Sequence, residues 1–152
     1  MKFSLKIISE YRNNKIFSDS HNSPSHVDRK IVYNLIKNNN LFGLQSSRLN
    51  FIEITKIYNH YNFAISPRGN GWDCHRTWEL FLAGVIVIMK SSPLDEMFIK
   101  NDLPVIILND WSDLNLLTEN KLLKYIEENK EKRSLNNILA KLTFKYWINL
   151  EY

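Results

Sequence analysis

The chain has 152 residues, a length that suits one domain, and its 44% hydrophobic and 24% charged residues are what a globular protein with its own core requires. The net charge is +4 with Lys and Arg scattered along the chain, which speaks against a nucleic-acid partner, whose footprint is a dense basic run or face. A lone cysteine, Cys74, excludes an internal disulfide and suits a reducing compartment, so the expected location is cytoplasmic or unknown; no signal peptide is expected from the charged N-terminus, and the longest apolar run, Val85 to Met89, falls far short of the ~20 residues that span a bilayer.

Phe3 to Ser9 is a β-rich run and predicts a first strand. Tyr11 to Pro24 is polar with turn residues throughout and predicts a loop. Ser25 stands three residues before Asp28, and Val27, Ile31, Leu35 and Ile36 recur at helical spacing, so a helix is expected over about 26–38. Leu41 to Leu44 reads as a brief strand. Asn50 precedes Glu53 by three, the spacing of a capping box, and opens a helix over 51–60. Asn62 to Ser66 reads as a strand halted by Pro67, and residues 67–72 as a loop with two glycines. Asp73 to Ala83 turns helical, with Trp78, Phe81 and Leu82 as core contacts and Gly84 as the closing cap. Val85 to Met89 and Leu103 to Leu108 are unbroken apolar runs, as in strands buried on both faces, with a short helix over 94–99 between them. Two helices, 119–130 and 134–150, complete the chain. The mixed charges over 119–133 read as a solvated helix face.

Helices alternating with short apolar strands are the pattern of a parallel sheet covered on both faces. The expected fold class is therefore α/β, a Rossmann-like three-layer arrangement in one domain spanning residues 1–152. Ligands in such folds sit outside the C-terminal ends of the strands. The glycine loop falls there, after a strand and before a helix.

Strand, glycine loop and helix together suit a phosphate. Free amides at a helix N-terminus face the ligand, and the helix dipole adds partial positive charge. Gly69 and Gly71 allow unusual backbone angles and close approach. Arg68 and Arg76 bring two permanent charges, and a guanidinium forks onto a diphosphate as an ammonium does not. Glu79 follows Arg76 by three and shares its helical face, and Asp73 is placed to cap the helix. The spacing matches neither GxGxxG nor GxxxxGK[ST]. A plainer account stays open, in which residues 67–73 are only a tight turn and Arg76 and Glu79 form a surface pair contributing roughly a few tenths of a kcal/mol.

The pieces Phe63, Ser66-Pro67-Arg68-Gly69, Arg76-Thr77-Trp78-Glu79 and Gly84-Val85-Ile86-Val87-Ile88 resemble the C-terminal signature of the exostosin-like glycosyltransferases. That family shows an aromatic strand, a Pro-(Arg or Pro)-Gly loop, Arg-x-x-Glu on a helix, and a Gly-x-Ile-Pro-Val-type strand. Gly69-Asn70-Gly71, Lys90 to Asp95, Leu103-Pro104-Val105 and Asp110-Trp111 extend the likeness to a subgroup of glycosyltransferase-like proteins. It runs from Phe63 to Asp113. Val87 departs from the pattern, where proline is common; its absence is expected to alter a strand edge without touching the binding chemistry. The length also departs: it accommodates only the C-terminal, donor-binding half of the two-domain GT-B fold.

The resemblance implies a nucleotide-sugar donor as substrate, with no separate cofactor and no metal. Arg68 and Arg76 would contact its diphosphate together with the backbone amides of Gly69, Asn70 and Gly71. Glu79 would take ribose or sugar hydroxyls, and Ser91 and Ser92 the base or ribose. The acceptor, glycan or protein, is unassigned, and the chain would be a fragment, a split subunit working with a separate acceptor-domain chain, or a degenerate remnant. No catalytic base is assigned; Asp73, His75 and Asp95 are the local candidates. The alternative is a non-catalytic binding or regulatory module that retains the glycosyltransferase fold.

Other residues read more plainly. Cys74 and His75 are helix neighbours that point apart, so neither a Cys–His pair nor a metal site is expected. His21 and His26 lack the partners of a zinc site. Trp72 is either a stacking platform or an exposed anchor. Trp78, Trp111 and Trp147 are expected in the core.

Overall fold

A computed structural model gives the fold and describes residues 12–19 and 25–148. Five strands form one sheet: β1 (Asn13–Ser18), β2 (Phe42–Leu44), β3 (Tyr61–Ile65), β4 (Ile86–Lys90) and β5 (Val105–Leu108). The order is β2-β1-β3-β4-β5 and every pairing is parallel. The helices are α1 (Val27–Ile36), α2 (Phe51–Tyr58), α3 (His75–Leu82), α4 (Asp95–Lys100), α5 (Glu119–Glu128), α6 (Leu135–Lys141) and α7 (Phe144–Ile148), with a 3₁₀ helix at Trp111–Leu116.

Alternate strand residues feed two cores, as the two-residue period of a strand dictates. Phe63, Ile65, Ile86 and Ile88 join Val32 and Ile36 of α1, Trp111 and Leu114 of the 3₁₀ helix, and Leu122 of α5. Ala64, Val87 and Met89 join Ile54 and Tyr58 of α2, Leu80 and Phe81 of α3, Phe98 of α4 and Ile138 of α6. Both faces of the sheet are therefore covered, giving the three-layer, Rossmann-like α/β architecture.

The loop expected over 11–24 contains a strand instead. β1 begins with exposed Asn13, Asn14 and Lys15, and only Ile16, Phe17 and Ser18 are buried. Three inward residues are enough because β1 lies between β2 and β3, with Ile16 paired to Phe42 on one side and Phe63 on the other. The tertiary setting overrides a weak local signal. Tyr11 and residues 20–24 of that loop and the strand expected over Phe3–Ser9 lie outside the described residues.

Most other elements fall where their patterns put them. Asn50 and Glu53 form the capping box, with Glu53 N–H donating to Asn50 Oδ1 at 3.0 Å and Asn50 N–H to Glu53 Oε2 at 3.0 Å. Gly84 closes α3 with φ 68°, a left-handed conformation that favours glycine. The single helix expected over 134–150 is broken into α6 and α7. Thr143 Oγ1 accepts from Tyr146 N–H at 3.3 Å and so starts a second helix, while Trp147 Nε1 donates back to the Lys141 carbonyl at 2.8 Å. Val87 is not at a sheet edge. It is the second residue of β4, between β3 and β5, and its N–H donates to the Pro104 carbonyl at 2.9 Å, a bond that a proline could not make.

Trp111 is fully inside, at 2% exposure, whereas Trp78 and Trp147, expected in the core as well, are only partly buried and pack edge to face with ring centroids 5.8 Å apart, and Leu82 is exposed. No helix among the described residues is long and apolar enough to cross a membrane.

Candidate functional site

The strand order reverses at β1. The chain leaves β1 for α1 on one face of the sheet and leaves β3 for α3 on the other, so the two connections part and leave a crevice beyond the C-terminal ends of β1 and β3. A cleft of about 380 Å³ occupies that place. Asp19 lines it from the end of β1, Ser25 and Arg29 from the start of α1, and Arg48 from the loop before α2. Ser66, Pro67 and the Gly69-Asn70-Gly71 turn line it from the end of β3, and Asp73 to Arg76 from the start of α3.

Ser66 and Thr77 hydroxyls bond at 2.9 Å, fully buried, and tie the end of β3 to the first turn of α3. Thr77 Oγ1 also accepts from Cys74 N–H at 3.4 Å. Cys74 thus holds the cap position that Asp73 was expected to fill. Asp73 instead accepts from Trp78 Nε1 at 2.8 Å, because its side chain turns along α3 toward the indole.

Neither Gly69 nor Gly71 takes a left-handed backbone angle, so the unusual angles expected there are absent; Gly84 alone among the described glycines does. The property that matters at Gly69 is close approach. A Cβ there would stand 3.3 Å from Arg29 Nη2 and 3.7 Å from Ser25 Oγ, closing the cleft floor against α1.

Arg76 is held from several sides. Its Nη1 donates to Asp19 Oδ2 in a charge-assisted contact, its Nε stands 3.9 Å from Glu79 Oε2, and its guanidinium lies 5.7 Å over the Tyr58 ring. Burial pulls its pKa down, but the negative charge of Asp19 leads the opposing effects, with Tyr58 and Glu79 behind it, and the net displacement is upward. Arg76 is therefore a permanent cation with a fixed orientation.

The sequence-derived site residues separate into three places. Gly69, Asn70, Gly71 and Arg76 surround the cleft. Glu79 lines a second chamber of about 400 Å³ between α2 and α3, which also has Arg76 in its wall. Arg68, Ser91 and Ser92 meet on the other side of the glycine loop, around a small recess with Asp28, Trp72 and Trp111. The Arg68 guanidinium stacks 3.9 Å above the Trp72 ring, while its carbonyl accepts from Arg29 Nε at 3.2 Å. Both serine hydroxyls donate to Asp95, at 2.6 Å for Ser91 and 3.3 Å for Ser92. Asp95 is thereby engaged in starting α4, whereas Asp73 and His75 line the cleft.

Asp19, Arg29 and Arg48 complete the cleft and were not singled out from the sequence. Asp19 fell within the stretch read as loop, and Arg29 and Arg48 belong to no local motif. Only the spatial meeting of three chain segments marks them. Among the described residues no group of three or more His, Cys, Asp and Glu is placed to hold a metal ion. Compared with known proteins, the chain matches no family model, and no curated protein matches it.

Proposed function

We propose that the chain binds the diphosphate of a nucleotide-sugar donor in the cleft beyond β1 and β3, as the donor half of a glycosyltransferase of GT-B type. The observation that carries this reading is the fixed Arg76 guanidinium at the first turn of α3, beside the Gly69–Gly71 turn, in the crevice where the strand order reverses.

Three guanidiniums, Arg29, Arg48 and Arg76, and two carboxylates, Asp19 and Asp73, line the cleft, so its side chains carry a net positive charge. A guanidinium has five N–H donors. Asp19 engages Arg76 through Nη1 and Glu79 stands near Nε, so the fork is oriented while other donors remain for a phosphate oxygen. Amides at the α3 N-terminus add to the same field.

In glycosyl transfer the bond from the sugar's anomeric carbon to the diphosphate breaks, and negative charge builds on the departing nucleoside diphosphate. Positive groups already in position stabilise that charge without reorganising; one such donor is typically worth roughly 2.7–4 kcal/mol of barrier. Arg76 fits the role. The general base is unassigned, with Asp73 and His75 closer to the cleft than Asp95.

Titration calorimetry with uridine, adenosine and guanosine diphosphates tests donor binding, and transfer or hydrolysis of the corresponding sugar donors tests turnover. Binding with no turnover, whatever acceptor is supplied, would select the non-catalytic module that keeps the fold. Absence of binding by all three diphosphates would sink both readings.

A further inference from the structure

Beside the diphosphate cleft lies the chamber between α2 and α3, and the two share Asp19, Arg48, His75 and Arg76 as common walls. They adjoin along this shared wall, in which the Arg76–Asp19 pair stands. Their linings differ. The cleft has cations, carboxylates, a glycine turn and the apolar Ile65 and Pro67 in its wall, whereas the chamber is mainly polar, with the Glu79 carboxylate, and Phe51 is its exposed aromatic. Phe51, the first residue of α2, is 55% exposed at the chamber wall. A large aromatic face left in water beside a chamber of about 400 Å³ is the surface on which a planar ring stacks.

We propose that this chamber holds the nucleoside half of the ligand, with the base stacked on Phe51 and its ribose hydroxyls toward Glu79, while the diphosphate crosses Arg76 into the cleft. The proposal rests on the diphosphate reading and adds the direction in which the nucleotide lies. It places base recognition on the start of α2, away from Ser91 and Ser92, whose hydroxyls are engaged by Asp95 on the far side of the glycine loop. The same geometry explains why Arg76 is fixed from two sides. It stands at the junction of the compartments, with Asp19 and Glu79 both within reach.

The test compares inorganic pyrophosphate with uridine and adenosine diphosphates on the intact chain and on Phe51→Ala, by titration calorimetry. The expected result is that at least one nucleoside diphosphate binds about tenfold or more tightly than pyrophosphate, and that Phe51→Ala removes most of that advantage while leaving pyrophosphate unchanged. Phe51→Tyr, which keeps the ring, is expected to restore the advantage and excludes a general folding defect. Equal affinity for pyrophosphate and the nucleoside diphosphates, or an advantage untouched by Phe51→Ala, overturns the chamber assignment and leaves the phosphate cleft standing. Failure of pyrophosphate and both nucleotides to bind overturns the two together.

Discussion

Arg76 and Tyr58 show how single side chains set the chemistry of the groove. Replacing Arg76 with Ala removes a charge-assisted donor, so affinity for a nucleoside diphosphate should fall about 10- to 100-fold, as calorimetry would read. Arg76→Lys should recover only part of that loss, because an ammonium keeps the charge but not the fork. Tyr58 lies beneath the guanidinium with no exposed surface. Burial raises its phenol well above the ordinary 10.0; Arg76 pulls it back, and Asp19 and Glu79 add to the rise. Below pH 10.0 the phenol is protonated whether the chain is folded or not, and stability gains no pH dependence from it. Above that pH the unfolded chain releases a proton that the folded chain retains, so stability falls as pH rises. Tyr58→Phe should therefore make the alkaline decline in melting temperature shallower, and an unchanged decline would contradict the assignment.

Among the elements, the α3–β4 connection is the most exacting. Gly84 takes φ 68°, and its carbonyl accepts from Arg12 Nη1 at 3.2 Å and Arg133 Nε at 2.8 Å. Gly84→Ala forces a Cβ into the left-handed region and should cost about 1–2 kcal/mol in chemical denaturation. Three residues on, Val87→Pro deletes an N–H donor in an interior strand and should cost about 3 kcal/mol or more by the same measurement. Gly84 was legible in the sequence as a helix stop; Val87 was legible as part of an unbroken apolar run, but its place inside the sheet, away from an edge, was not. The capping box at Asn50 was legible, since its partners are three residues apart. β1 was not, because four of its six residues are polar and its strand character comes from neighbours on both sides. The site divided in the same way. Gly69, Asn70, Gly71 and Arg76 came from one continuous motif and meet at the cleft. Arg68 belongs to the same motif, yet its side chain turns to the opposite side of the loop, an orientation set by Trp72 that residue spacing does not encode. Asp19, 57 positions before Arg76, became visible only when the sheet brought the end of β1 beside α3.

At the scale of the whole molecule, the five parallel strands convert a distributed set of charges into one groove. The helices α1 and α3 follow β1 and β3 on opposite faces, and the reversal of strand order opens the space between them. A ligand that binds the folded chain there and not the unfolded one must stabilise the fold by mass action. The direct measurement is thermal unfolding of the intact chain and of Arg76→Ala with and without saturating nucleoside diphosphate. At a ligand concentration near 100 times the dissociation constant the stabilisation is about 2.7 kcal/mol, which for a chain of this length should raise the melting temperature by roughly 5–10 °C. The account predicts that rise for the intact chain and little or none for Arg76→Ala at the same concentration; no rise for the intact chain, or an equal rise in both, would contradict it.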